Sequence, residues 1–162
     1  MPIMIYPGFI RLNPNLMNFL KDDALVNQNN LISVTRLVFW NGNLVGYFTL
    51  VNDSIVVRAV EECDREESYH FRKYPALKIA RLATHSDCER FGVGRSMLRR
   101  IFSISIMLSH YIGCRIITVD SKHSAVDFYK KFAFKQAIRM PGETVPLYLD
   151  LKNALQRISR ES

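Results

Sequence analysis

Gly92 and Gly94 stand two positions apart in the run Arg90-Phe91-Gly92-Val93-Gly94-Arg95-Ser96, between a stretch that reads as a buried strand and one that reads as a long helix. A diphosphate needs several unobstructed backbone N–H groups converging on it, and a helix N-terminus adds the positive end of its dipole. Side chains would obstruct that approach, so glycines suit a phosphate loop here. The spacing alone leaves two readings open, a phosphate loop or a plain strand-to-helix turn. A dinucleotide fingerprint fails because residue 97 is Met, and a Walker A loop fails for want of Gly-Lys-Ser/Thr. Cys63, Cys88 and Cys114 form no C-x-x-C or Cys/His pattern, which supports neither a disulfide framework nor a zinc site. Cys88 reads as an ordinary loop thiol, and no Ser-His-Asp grouping stands out.

The elements that must hold this loop follow from periodicity. Leu77 to Thr84 reads as a buried strand ending in a polar loop, His85 to Arg90. Val93, Met97, Leu98, Ile101, Ile104, Met107, Leu108 and Tyr111 then keep helical spacing, with Gly113 placed to end the helix. Upstream, a short extended start leads to a helix with Asn13 as cap, Pro14 in its first turn, and Leu16, Phe19, Leu20, Ala24 and Leu25 on one face. Ile32 to Trp40 and Leu44 to Val51 form a hairpin about Asn41-Gly42-Asn43, a third strand follows at Ser54 to Val60, and Glu61 to Pro75 reads as a loop or short helix over the sheet. Downstream come a strand at Arg115 to Val119, a helix at Ser124 to Phe132, strands at Phe134 to Ile138 and Val145 to Leu151, and a polar tail. This is a mixed α/β sheet with a βαβαβ core in its second half.

Length and composition agree. One domain, 1–162, is expected, since 162 residues leave no room for a second catalytic domain. Apolar residues at 48% and charged residues at 23% exclude a disordered or fibrous class. The N-terminus lacks the pattern of a signal peptide and no run approaches a membrane span, so a soluble, cytoplasmic protein with no membrane partner is expected. The formal charge of +7 would draw polyanions such as RNA or a nucleotide cofactor, although it also serves solubility.

Two motifs carry a family resemblance. Leu82-Ala83-Thr84 followed by Glu89-Arg90-Phe91-Gly92-Val93-Gly94-Arg95-Ser96-Met97-Leu98 resembles motif A of the GNAT N-acetyltransferase superfamily, Arg/Gln-x-x-Gly-x-Gly/Ala after a strand. Ala125-Val126-Asp127-Phe128-Tyr129-Lys130-Lys131-Phe132-Ala133-Phe134 resembles its motif B, Ala-x-x-x-Tyr-x-x-x-Gly-Phe. Two motifs in order, each on its expected element, are far more specific than one. Three positions depart from the pattern. Glu89 replaces the usual Arg or Gln and must turn away from the phosphates or pair with Arg90 or Arg95, Ala133 replaces Gly, and Lys122 stands where an Asn often contacts the pantetheine arm.

The resemblance implies the GNAT acyl-CoA N-acyltransferase fold, a mixed, mostly antiparallel central sheet with flanking helices. It implies acetyl-CoA as co-substrate, with no metal, lying where the strand Leu77 to Thr84 splays from the strand Arg115 to Val119. Leu82, Ala83 and Thr84 would meet the pantetheine arm, and Arg90, Phe91, Gly92, Val93, Gly94, Arg95 and Ser96 would hold the diphosphate. The amine attacks the thioester directly, with no covalent intermediate. Tyr129 matches the family's tyrosine that protonates the departing thiolate, a task for a phenolic O–H; the alternative is an aromatic core residue. Glu61, Glu62, His85, Asp87 or water could serve as base. Lys130, Lys131 and Lys135, with Arg99 and Arg100, could neutralise the CoA 3′-phosphate or a larger polyanion, or simply solvate a helix face.

Leu16 to Gln28, Val45-Gly46-Tyr47-Phe48-Thr49-Leu50 and Ile79-Ala80-Arg81-Leu82-Ala83 further resemble the GNAT branch that includes tRNA-acetylating toxins. That resemblance implies an aminoacyl-tRNA acceptor, a homodimer and a small antitoxin partner. The acidic run from Glu61 to Glu67 would oppose RNA if it faced the acceptor. A protein or small-molecule amine acceptor, and a catalytically silent acetyl-CoA-binding regulatory module, are the alternative readings.

Overall fold

A computed structural model of the chain describes residues 14–139 and 142–161. The expected extended start and the Asn13 cap lie outside the described residues. In chain order the elements are α1 (Pro14–Asn18), a π turn (Phe19–Asp23), α2 (Ala24–Asn29), β1 (Val34–Trp40), β2 (Asn43–Val56), β3 (Lys73–Thr84), α3 (Val93–Ser109), β4 (Ile116–Ser121), α4 (Val126–Lys130), β5 (Lys135–Gln136), β6 (Val145–Asp150) and α5 (Leu151–Glu161). The strands form one six-stranded sheet in the order β1-β2-β3-β4-β6-β5, flanked by helices, as the sequence led us to expect for the fold class. The pairings β1/β2, β4/β6 and β5/β6 are antiparallel.

The chain divides into two compact units, one running through Val51 and including Ile79–Ser103, the other Asn52–Lys78 with the residues from Ile104 onward. In the first unit, Met17, Phe19, Leu20 and Ala24 pack with Leu44, Tyr47 and Ala83. Phe19 stacks on Tyr47 at 6.4 Å and carries the Arg81 guanidinium 4.3 Å above its ring, so a cation lies over a buried aromatic pair. Asn41 and Gly42 both have positive φ, 49° and 76°, the conformation of a two-residue hairpin turn. Gly46 is required by close approach, because a Cβ there would lie 2.6 Å from the Ala83 carbonyl oxygen.

In the second unit the core is Val60, Tyr74, Ala76, Ile116, Ala137 and Tyr148, flanked by Ile55, Val57, Ala59 and Tyr69. The register of β4 on β6 runs from Ile116 opposite Asp150 to Ser121 opposite Val145.

Four elements differ from the sequence reading. The expected third strand, Ser54 to Val60, is not a separate strand: its first residues continue β2, which runs unbroken for 14 residues to Val56, and Val57–Ala59 form a 3₁₀ turn. β3 begins before Pro75, whose carbonyl accepts from the Arg115 N–H at 3.0 Å, so the proline is carried inside the strand. α3 ends four residues before Gly113, where His110 and Tyr111 tighten onto Met107 and Leu108. The expected polar tail is α5, capped by Asp150, whose Oδ1 accepts from the Asn153 N–H at 3.0 Å. No described helix is long and apolar enough to cross a membrane.

Candidate functional site

The glycine loop is built from backbone geometry that most residues avoid. After a 3₁₀ turn at Ser86–Cys88, Arg90 has φ 67° and Gly92 φ 84°. A Cβ at Gly92 would meet nothing within 4 Å, so that glycine is required by conformation and not by crowding in the protein itself. The Ser96 N–H donates to the Gly92 carbonyl at 2.9 Å, which makes Gly92 the residue before the first helical turn and Val93, Gly94 and Arg95 that turn. Amides in a first turn have no intrahelical acceptor, and the 17-residue α3 places its dipole behind them. The residues from Glu89 to Gly92 and the side chains of Arg95 and Ser96 are exposed. The arrangement fits a diphosphate, with main-chain donors and flanking arginines.

Glu89, the atypical position, makes no ion pair with Arg90, Arg95 or any other described residue. Its backbone is extended, at φ −61° and ψ 143°, and its N–H donates to the Ser86 carbonyl at 3.3 Å. Leu82 and Thr84 are half-buried and Ala83 is buried at the end of β3, in the same unit as the loop. His85, next along, is buried; its N–H donates to the Val45 carbonyl at 2.8 Å, and its Nδ1 accepts from the Asp87 N–H at 3.2 Å. An accepting Nδ1 places the proton of the neutral ring on Nε2.

Tyr129, in the second unit, is 5% exposed on α4. Its carbonyl accepts from the Phe132 N–H at 2.9 Å and from the Phe134 N–H at 3.3 Å, while the Ala133 N–H donates to the Lys130 carbonyl at 3.1 Å. With Ala133 at φ 65° this is a Schellman motif, and the ring contact that usually accompanies it is Tyr129 against Phe134, edge-on at 5.4 Å. The Ala-for-Gly departure therefore sits where the helix needs a left-handed residue. Phe128 also packs edge-on against Tyr129 at 5.1 Å. Burial pushes the Tyr129 phenol up to about 12, so it is fully protonated at neutral pH. Its hydroxyl makes no hydrogen bond to a described residue.

Sequence reasoning missed a polar network in the second unit. Asp64, 4% exposed, accepts from Lys135 Nζ, the Tyr148 hydroxyl and Asn153 Nδ2, each at 2.8 Å. Burial pushes its carboxyl up, but these three donors and the Lys135 charge outweigh it and hold the group below its ordinary value. Lys135 also reaches Glu61 at 3.0 Å and Cys63 at 3.6 Å. Glu61, Cys63 and Asp64 converge as metal ligands do, and the lysine ammonium lies among them. Arg115 grips Asp150, at 2.8 Å for the shortest contact, donates to the Asp64 carbonyl and lies 5.3 Å from the Tyr74 ring centroid. Glu66 bonds Lys152 and lies 3.7 Å from Arg115. The partners are far apart in sequence, so no local pattern announces them. Two of the sequence candidates meet here: Lys135 is engaged by Glu61 and Asp64, and Glu61 is held by Lys135.

The description "Acetyltransferase (GNAT) family" matches residues 7–134. No curated protein sequence matches the chain. Among solved structures, a bacterial toxin superposes with TM-score 0.83 at 17% identity, over 96% of this chain and 90% of that one. AtaT complexed with acetyl-methionyl-tRNAfMet gives 0.81 at 18%, over 91% and 88%. A tyrosine-to-phenylalanine mutant of KacT gives 0.81 at 18%, over 93% and 90%. At these identities the likeness is one of fold. The chain thus has the fold of the acetyl-CoA-dependent acyltransferases, and it belongs to the GNAT acetyltransferase family. It is an N-acetyltransferase whose co-substrate is acetyl-CoA.

Proposed function

We propose that the chain acetylates the α-amine of an aminoacyl-tRNA, as a toxin of the AtaT and KacT kind, acting in the cytoplasm as a homodimer silenced by a small antitoxin. The observation that carries the acceptor is charge. In the acidic run that would have opposed RNA, Glu61, Asp64 and Glu66 are paired internally with Lys135, Arg115 and Lys152, and Glu62 lies 3.9 Å from Arg65. The surplus of +7 is left to arginines and lysines without carboxylate partners. The fold shared with AtaT in its complex with acetyl-methionyl-tRNAfMet supports the same reading.

In this reading the first-turn amides of α3, with Arg90 and Arg95, hold the diphosphate, and Leu82 to Thr84 hold the pantetheine arm by main chain. The neutral amine attacks the thioester carbon, the C–S bond breaks, and one proton passes in net from nitrogen to sulfur. Tyr129 donates its O–H to the departing sulfur, and the proton lost by the amine restores it. A phenol near 12 is a weaker acid than a thiol, so its contribution lies in hydrogen-bond donation to the developing thiolate, where burial strengthens the bond. The α-amine of an aminoacyl ester is largely neutral at working pH, which removes the need for a strong base.

CoA release measured with charged tRNA, protein N-termini and polyamines tests the reading. Turnover with charged tRNA far above the others is the expected result. Preference for a protein or polyamine amine would replace the acceptor, and acetyl-CoA binding without turnover on any amine would make the chain a regulatory module.

A further inference from the structure

The sequence contains no Asp or Glu between Glu89 and Asp120, yet that stretch holds Arg90, Arg95, Arg99, Arg100 and Arg115. Arg115 is spent on Asp150 and Glu66. The other four are exposed, and none has an acidic partner among the described residues. Over about the first three turns of α3, Met97, Leu98 and Ile101 are buried, while Arg95, Ser96, Arg99, Arg100 and Ser103 are exposed. The solvent face of this segment is thus arginine and serine alone. A helix face that merely solvates a protein interleaves acids at i,i+4, which relieves repulsion between its cations. Here Arg95 and Arg99 are i,i+4 neighbours of like charge, at a cost of a few tenths of a kcal/mol that an anionic partner would relieve.

Arg90 and Arg95 flank the loop and are accounted for by the phosphates of acetyl-CoA. Arg99 and Arg100 lie a full turn further on, roughly 9–10 Å along the axis from Val93 at 1.5 Å per residue. They extend the cationic face along the helix, away from the loop, as the spaced phosphates of a phosphodiester chain would require. Guanidinium groups suit that partner, since their planar donors meet phosphate oxygens two at a time.

We propose that Arg99 and Arg100 form the docking surface for the RNA backbone of the acceptor, so that acetyl donor and RNA are held from one helix. This rests on the aminoacyl-tRNA reading above, and the two are separable by experiment. Arg99→Gln/Arg100→Gln and Arg99→Glu/Arg100→Glu are compared with the parent chain for binding of uncharged tRNA at several salt concentrations, for acetyl-CoA affinity, and for thermal midpoint. The expected result is tRNA affinity lower by about tenfold or more in the Gln pair and further in the Glu pair, with the slope of log affinity against log salt shallower by about 2. Acetyl-CoA affinity and thermal midpoint stay as in the parent. Unchanged tRNA affinity and slope would overturn the proposal, as would a parallel fall in acetyl-CoA affinity, which would assign the arginines to the cofactor. A parent chain that binds tRNA through these residues yet acetylates no charged tRNA would overturn the acceptor reading and leave the surface standing.

Discussion

Ala133 occupies the one position of the Tyr129 helix end where a side chain is costly, and replacing it tests that account quantitatively. Its φ of 65° lies in the left-handed region, where an L-residue with a Cβ costs roughly 1–2 kcal/mol relative to its preferred conformation. Glycine does not bear that cost but enlarges the unfolded ensemble, a loss of about 0.4–1 kcal/mol. Ala133→Gly should therefore stabilise the protein by a net of about 0.5–1 kcal/mol. For a chain of this length that is a rise in Tm of about 1–4 °C. The hydrogen bonds from Phe134 to Tyr129 and from Ala133 to Lys130 are main-chain bonds and survive the change, so turnover should stay within about twofold. The assay is paired thermal and urea unfolding, with an unchanged m-value required for the comparison. Ala133→Val is the opposite control, because a β-branched residue fits the left-handed region worse than alanine and should lower Tm. If Ala133→Gly left stability unchanged or reduced it while Ala133→Val was neutral, the Schellman assignment would be wrong.

Three further outcomes follow from the geometry. Gly92→Ala meets no atom within 4 Å but must hold φ near 84°, so it should cost about 1–2 kcal/mol and weaken acetyl-CoA binding, read by calorimetry on the variant. An acetyl-CoA affinity equal to the parent's would show that the loop does not need that conformation to bind. Tyr129→Phe keeps the ring contacts with Phe128 and Phe134, so kcat should fall by about 10²–10⁴ with acetyl-CoA affinity nearly unchanged; parental turnover would remove the tyrosine from the chemistry. Asp64, held below the ordinary carboxylate value when folded, contributes stability that is complete above its unfolded pKa, near 4, and is lost as pH falls through the lower folded value. Asp64→Asn should therefore be less stable at neutral pH and show a shallower acid loss in urea midpoints between pH 5 and 2, whereas an unaltered acid profile would deny the network that role.

The parts of the molecule legible in the sequence are those whose physics is local. The loop could be read because its requirements, positive φ at Gly92 and open amides at a helix start, act over five consecutive residues. The Tyr129 helix could be read because its Schellman end spans only Tyr129 to Phe134. Even the departure at Ala133 was visible as a residue type, although only the φ of 65° says what it costs. α5 was missed although its signals are local too: Asp150 as cap, then Leu151, Leu155 and Ile158 at helical spacing. A polar composition hid a periodic pattern.

The Asp64 network was illegible for a different reason. Asp64 meets Lys135, Tyr148 and Asn153 only after the sheet brings β5 and β6 together and α5 folds back, and each partner read alone is an ordinary surface residue or a strand aromatic. The same folding event changes the reading of charge. Counted along the sequence, Glu61 to Glu67 opposes a polyanion and Lys135 favours one; in the folded protein Lys135 is paired with Glu61 and Asp64 of that run. On the face of α3 no acid occurs in sequence, and among the described residues none pairs with Arg95, Arg99 or Arg100. Net charge alone does not say where an anion would bind, because that depends on which charges the fold pairs with one another.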